Sequence, residues 1–226
     1  MILDHKVLNN GKQIVHVVLT SENKALIYFE HTTTRRQWVS NFCFGLVSYR
    51  LPYRDMPEKF YVHRGFFHEA YKPHRDNLFY YLQDHESEID SLTILGASRG
   101  SSPATFFIED LLYHKKNKVF DINAVVTGKA KDVTKKGSGI ISRRITYAIT
   151  DAECEISKNF SFHEIRWGSD IVNKVVPFYS RLRDSLALRY GRNPSPFIWS
   201  GKDHESACEI VWHLFDDFMR QASLTE

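Results

Sequence analysis

The sequence predicts an α/β domain with a mostly parallel central sheet flanked by helices. Short strand-like runs alternate with helical patterns along its 226 residues. The run at residues 92–95 is continuously apolar, as expected of a strand buried on both faces of a parallel sheet. Near the C-terminus, apolar residues recur with helical spacing from Ala207 to Phe218. The length suits one domain with a sizeable core, so residues 1–226 are expected to form a single domain.

The first half begins with two runs that are rich in β-branched and aromatic residues, 14–19 and 25–29, and both are predicted to be strands. Residues 37–42 fit a short helix or a strand equally well. Residues 45–60 contain one glycine and two prolines and are predicted to form a loop or flap. A helix is expected to open at Pro73, where a missing N–H costs little, and to bury Leu78, Tyr81 and Leu82.

The second half continues the alternation. The buried strand 92–95 is followed by a helix over 103–112, and residues 122–126 and 162–167 indicate two further strands. Lys135-Lys136-Gly137-Ser138-Gly139 is predicted to be a turn, and residues 140–149 fit a helix or a strand. Ser206 and Glu209 have the spacing of a capping box at the start of the last helix.

A pentapeptide with the pattern G-x-S-x-G lies between the buried strand and the next helix. It reads Gly96-Ala97-Ser98-Arg99-Gly100. A serine in such a strand–turn–helix context is typical of a nucleophile elbow, in which a tight turn lifts the hydroxyl to the top of the sheet. Ser98 is therefore the candidate nucleophile.

A serine hydroxyl needs a base within hydrogen-bond reach and an acid that orients that base. Asp170 follows a predicted strand at the edge where sites form in α/β sheets, although an isolated Asp often only caps a turn. Glu164, in mid-strand, and Asp184, in a helical surface segment, are weaker candidates. Of the two histidines after Asp170, His204 lies in a predicted loop ahead of the last helix. His213 points away from the apolar stripe of that helix and is expected to be solvated.

An oxyanion hole needs backbone N–H groups aimed where negative charge develops. Arg99, directly after the serine and at a predicted helix N-terminus, is the first candidate. Thr32, in the segment after the strand at 25–29, is the second.

Composition limits the classes of partner and compartment. The formal net charge of +3 is too small to indicate nucleic-acid binding. Three cysteines without metal-ligand spacing fit a reducing compartment, and Met1–Lys6 lacks the features of a signal peptide. A cytoplasmic protein is therefore expected. The oligomeric state is left open by the sequence.

Four blocks of the chain resemble the class 3 lipases, the fungal-lipase-like α/β-hydrolases. Residues 27–32 with Trp38 are similar to the block aliphatic-F-R-G-T…W, and residues 62–71 are similar to V-H-x-G-F…A-Y. Residues 93–100 are similar to T-G-H-S-L-G-G, and residues 168–172 with Pro177 are similar to N-D-x-V-P. The resemblance implies an α/β-hydrolase fold and a triad of Ser98, Asp170 and His204. It also implies an oxyanion hole from Thr32 and Arg99, and hydrolysis of carboxylic esters of small molecules or lipids without a metal or organic cofactor. A transient contact with a membrane surface would be compatible with such substrates.

The chain departs from the family pattern around both oxyanion blocks. Glu30-His31 replaces Arg-Gly, Ala97 replaces His, Arg99 replaces Leu, and Ser101 replaces Gly. The Arg99 side chain could bind an anionic group or project into solvent. These departures motivate an alternative, a degenerate hydrolase fold that serves as a binding or assembly module. Transfer of the acyl group to an acceptor other than water is a third reading.

Residues 45–60 lie where such enzymes carry a lid. Several of them and their neighbours are apolar or aromatic enough to cover a pocket: Phe44, Leu46, Tyr49, Leu51, Tyr53 and Met56. An ordinary packed loop is the equal alternative.

Overall fold

A computed structural model describes residues 1–50, 59–114, 121–127, 132, 134–150, 160–165 and 203–224. Eight strands lie in these segments: β1 Ile2–Asn9, β2 Ile14–Thr20, β3 Lys24–Phe29, β4 Leu46–Ser48, β5 Tyr61–His63, β6 Ser91–Ala97, β7 Asp121–Thr127 and β8 Phe160–Ile165. The helices are α1 Arg35–Asn41, α2 Lys72–Asp84, α3 Ser101–His114, α4 Lys135–Thr150 and α5 Asp203–Leu224. A π-helical turn, Gly65–Tyr71, leads directly into α2, and short 3₁₀ turns lie at Glu86–Glu88 and Ser98–Gly100.

Within the described segments, the main sheet has six strands in the order β1-β2-β3-β6-β7-β8. β2 pairs antiparallel with both β1 and β3, whereas β3, β6, β7 and β8 run parallel. β6, which carries the serine motif at its end, is therefore a central strand between two parallel neighbours. This confirms the predicted mostly parallel sheet, and the arrangement is that of an α/β-hydrolase.

Two apolar clusters cover the two faces of the sheet. Alternate side chains of β3 and β6 point to opposite faces, so that Ile27 and Ile94 lie in the first cluster and Leu26 and Leu95 in the second. The first cluster includes buried residues of α2, α3 and α4. The second is closed by α5.

Several elements differ from the sequence-based expectations. Strand β1 was not predicted, because it is an edge strand with only three partly buried residues. Residues 37–42 lie mainly in helix α1. The expected turn at residues 135–139 is wrong, since α4 begins at Lys135 and continues through residues 140–149. Position 137 of α4 is packed tightly enough to require a glycine, because a Cβ there would come within 2.6 Å of Phe60 Cδ2.

Two helical segments also begin earlier in the chain than the sequence predicts. The chain is already helical from Gly65, ahead of the start expected at Pro73, although Leu78, Tyr81 and Leu82 are buried as predicted. Helix α5 begins at Asp203, three residues before the predicted capping box.

The predicted stripe of α5 is confirmed only in part. Val211 and Phe215 are buried, as is Cys208, which was not assigned to the stripe. Leu214, which was assigned to it, is 40% exposed.

The segment that was compared with a lid is partly described. Tyr49 is buried in the first cluster, where its hydroxyl donates to Glu109 Oε2 at 2.6 Å, so this residue is part of the core. Phe44 and Leu46 are exposed. Leu51, Tyr53 and Met56 lie outside the described residues.

Candidate active site

Ser98 lies in a strained turn at the carboxyl end of the central strand β6. Its φ angle is +50°, in the left-handed region that costs an L-residue about 1–2 kcal/mol. The 3₁₀ turn Ser98–Gly100 leads straight into α3. This sharp strand–turn–helix geometry is that of a nucleophile elbow.

The glycines of the motif are required by the close packing of this turn. A Cβ on Gly96 would lie 2.8 Å from the Gly100 carbonyl oxygen and 2.8 Å from Ala104 Cβ. A Cβ on Gly100 would lie 2.1 Å from the Phe29 carbonyl oxygen. The elbow is therefore pressed against the end of β3, and this contact brings the segment that contains Thr32 next to Ser98.

The hydroxyl of Ser101, which stands where the family has a glycine, lies within hydrogen-bond distance of the ends of two strands. Its Oγ lies 2.9 Å from the Gly96 carbonyl oxygen and 2.6 Å from the Thr127 carbonyl oxygen. A hydroxyl can donate to only one of them at a time. The serine hydroxyl thus adds one hydrogen bond between the start of α3 and the end of β6 or of β7.

Ser98 opens onto a cleft of about 380 Å³. The lining residues that the structure describes are His31, Thr32, Trp38, Ser98, Cys208, Glu209 and Trp212. Trp38 and Trp212 are each about half exposed, at 51% and 47%. Two large aromatic rings beside a serine hydroxyl suit the apolar part of an acyl ester.

Sequence reasoning missed most of this lining. It assigned no role in the site to His31, Cys208, Glu209 or Trp212. Helical periodicity is the signal that could have indicated Cys208, Glu209 and Trp212. Positions 208 and 212 of α5 are four residues apart and therefore share a helix face. For His31, which the sequence shows only as a departure from the family pattern, the signal is its position directly before Thr32.

Of the two oxyanion candidates, one faces the cleft and the other is part of the elbow turn. Thr32 lines the cleft, and Arg99 follows the serine directly. The Arg99 side chain neither projects into solvent nor lines the cleft among the described residues. It is 1% exposed, and its Nη1 donates to Asn41 Oδ1 at 2.5 Å and to the Gln37 carbonyl oxygen at 3.3 Å. The sequence-based reading in which this side chain projects into solvent is therefore wrong.

The other two triad candidates are only partly described. Asp170 lies outside the described residues, as does Asp184. His204 is the second residue of α5 instead of a loop residue, and the described side chains of this helix begin at Cys208. His213 is exposed, as expected, and Glu164 lies within β8.

Burial determines the charges beneath the elbow. It lowers the pKa of Arg99 to about 10, and nearby Glu69 and Cys43 oppose this change, so the guanidinium is charged at neutral pH. Burial, followed by the charge of Arg99, lowers the pKa of His63 to about 4. The His63 ring stacks on Phe66, with 4.1 Å between the ring centroids. At neutral pH Arg99 is therefore a buried cation and His63 a neutral imidazole.

The side chain of Glu30, which stands where the family has an arginine, pairs with a histidine of β2. Its Oε1 lies 2.6 Å from His16 Nε2, and His16 Nδ1 lies 3.2 Å from His5 Nε2. Within the described part of the chain, no group of three or more His, Cys, Asp or Glu side chains could hold a metal ion. None of the helices in the described segments has the length and apolar character needed to cross a membrane.

Comparisons with known proteins identify similar sequences and folds. The family model "Lipase (class 3)" matches residues 26–179. No curated protein sequence matches the chain. Rhizomucor miehei triacylglyceride lipase aligns with a TM-score of 0.56 and 16% identity, over 78% of this chain and 60% of that one.

Two further solved structures are similar. Lipase II from Rhizopus niveus aligns with a TM-score of 0.57 and 15% identity, over 82% of this chain and 62% of that one. A triacylglycerol lipase, whose catalytic centre is described as a serine protease triad, aligns with a TM-score of 0.54 and 15% identity, over 78% and 60%. The chain thus spans about 60% of the length of these structures.

Proposed function

Because the chain belongs to the class 3 lipase family, we propose that it is a serine hydrolase that cleaves carboxylic esters of lipids or small molecules through an acyl-enzyme on Ser98. The observation that carries the proposal is the position of Ser98. Its strained turn ends the central strand, and its side chain lines a cleft shared with Thr32 and two tryptophans.

The reaction follows from the roles that these groups can take. Ser98 Oγ attacks the ester carbonyl while His204 accepts its proton, and Asp170 orients the imidazole and stabilises the imidazolium that forms. The backbone N–H groups of Thr32 and Arg99 donate to the oxyanion. The imidazolium then protonates the departing alcohol, and water activated by the same base cleaves the acyl-enzyme.

Helix periodicity supports His204 as the base. In an α-helix, positions i, i+4 and i+8 lie on one face. Position 204 of α5 therefore shares a face with Cys208 and Trp212, and both of these side chains line the cleft with Ser98.

The nucleophile is tested with a fluorophosphonate probe and a soluble nitrophenyl ester. We expect the wild-type protein to be labelled and active, and Ser98→Ala to lose label and about a thousand-fold or more in kcat/KM. Ser102→Ala is the matched control, because Ser102 is a buried serine one turn further along and should keep both signals. A folded wild-type protein without label or turnover would support the binding-module alternative.

The proposed base and acid are each tested by one substitution and one control, with turnover of the same nitrophenyl ester as the measurement. His204→Ala and Asp170→Asn should lower kcat by about a thousand-fold while probe labelling weakens in parallel. The controls are His213→Ala, an exposed histidine on the same helix, and Asp184→Asn, one of the two weaker acid candidates. Loss of activity in a control instead of its partner would reassign that role.

A further inference from the structure

The side chain of Arg99 connects the elbow to helix α1. Arg99 Nη1 donates to Asn41 Oδ1 at 2.5 Å and to the Gln37 carbonyl oxygen at 3.3 Å. These partners lie 58 and 62 residues earlier in the chain, in the helix that follows the Thr32 segment. The guanidinium is buried and lies 5.8 Å from the Phe66 ring centroid, so its position is fixed by packing as well as by hydrogen bonds.

Asn41 passes this contact on to Thr32. Its Nδ2 donates to Thr32 Oγ1 at 3.0 Å. A guanidinium can only donate hydrogen bonds, so it selects the Asn41 orientation in which the carboxamide oxygen faces Arg99 and the NH2 group faces Thr32. The two predicted oxyanion-hole residues are thereby joined through one amide.

Gln37 forms a second connection to the same segment. Its backbone carbonyl accepts from Arg99, while its side-chain Oε1 accepts from the backbone N–H groups of Thr33 at 2.5 Å and Thr34 at 2.9 Å. Gln37 is 1% exposed. The backbone directly after Thr32 is therefore held by a buried side chain that Arg99 also contacts.

We propose that the Arg99 side chain is a positioning residue that orders the Thr32 half of the oxyanion hole through Asn41 and Gln37. This rests on the proposed esterase function. Oxyanion stabilisation depends on donors that are held in place before the charge develops, so a loosened Thr32 segment weakens transition-state binding more than substrate binding. The leucine that the family carries at this position has no polar atoms to make these bonds.

The test compares Arg99→Met, Asn41→Ala and the double variant on a short-chain nitrophenyl ester. Each single substitution should lower kcat by about ten- to a hundred-fold and change KM by less than about threefold. The double variant should lose no more than about twofold beyond the worse single variant, because Asn41→Ala interrupts a connection that Arg99→Met already breaks. Arg99→Lys, which keeps a donor, should be intermediate, and Arg35→Met, an exposed arginine in α1, should match the wild type.

An alkyl boronic acid separates positioning from general stability. It forms a tetrahedral adduct with the serine, so its affinity should fall in parallel with kcat among variants that remain folded. A folded Arg99→Met protein with wild-type kcat and boronate affinity would overturn the proposal. So would losses that multiply in the double variant, or a loss proportional only to the fraction of protein that takes a fluorophosphonate label.

Two further outcomes have defined meanings. If Arg99→Met does not fold, Asn41→Ala and Arg99→Lys decide the question by the same two measurements. If the wild-type protein itself neither labels nor turns over, the esterase proposal fails, and this is known before any variant is made.

Discussion

Glu30 illustrates how a charged side chain close in sequence to the oxyanion candidate Thr32 is explained by its contacts. A carboxylate at the position of the family arginine would be expected to disturb the site. Instead it pairs with His16 on the neighbouring strand, and the His16 ring stacks on Tyr28 at 5.8 Å between centroids. The Glu30 carboxylate therefore contributes to the contact between β2 and the residue that follows β3.

His63 is expected to make the protein sensitive to acid. Burial holds its pKa at about 4, below the ordinary histidine value of 6.5. The unfolded chain therefore binds a proton that the folded protein does not bind between these two values. This contribution to stability is complete above pH 6.5 and is lost as the pH falls towards 4, by about 2 kcal/mol between pH 7 and pH 5.

Urea unfolding at pH 7 and pH 5 measures this effect. His63→Gln should reduce the difference between the two free energies of unfolding by about 2 kcal/mol, whatever its effect at pH 7. His213→Gln, at an exposed histidine, should leave the difference unchanged. Equal pH dependence in wild type and His63→Gln would show that this imidazole is protonated to the same extent in both states.

At the scale of elements, the contact between the elbow and β3 leaves no room for a side chain. Gly100→Ala would place a Cβ 2.1 Å from the Phe29 carbonyl oxygen and 2.6 Å from that of Glu30, and both are backbone atoms. The elbow must then move away from β3. We expect a loss of about 3 kcal/mol or more in stability, measured from the urea midpoint.

Gly45→Ala is the matched control for this contact. The nearest heavy atom to a Cβ there is Arg64 Cδ at 3.7 Å, which is ordinary contact distance. Its stability should remain within about 0.5 kcal/mol of the wild type. If Gly100→Ala were as stable as Gly45→Ala, the elbow would not be packed against β3 as described.

Elements with strong periodicity could be predicted, and those without it could not. Strand β6 and helix α3 were found because a continuous apolar run and a helical stripe leave few alternatives. Strand β1 is partly exposed along its length and has a weak signal. The start of helix α4 differs from the prediction because Gly137 and Gly139 favour a turn locally, whereas in the structure Gly137 is the small residue that lets the helix lie against Phe60.

The candidate site shows the same division. The G-x-S-x-G motif predicts the elbow because its glycines follow from local geometry. The partners of the Arg99 side chain lie about sixty residues away in sequence, and no local pattern indicates them. Which charges are buried depends on the packing of distant elements, so the sequence left the direction of Arg99 open.

At the scale of the whole molecule, α5 closes the second face of the sheet from the far end of the chain. Phe215 is 6% exposed, and its ring centroid lies 4.9 Å from that of Tyr28 and 5.2 Å from that of His16. The same helix contributes Cys208 and Trp212 to the cleft. Stability and the proposed site therefore depend on the same docking surface.

Phe215→Ala should destabilise the protein by about 3–5 kcal/mol, because it removes a buried ring between the sheet and the helix. Leu214→Ala, at the adjacent position that is 40% exposed, should cost about 0.5 kcal/mol or less. Unfolding in urea gives both values. If α5 also holds the cleft together, Phe215→Ala should lower ester turnover under conditions where the protein is still folded, whereas Leu214→Ala should not. Equal destabilisation by the two substitutions would contradict the docking of α5 through Phe215.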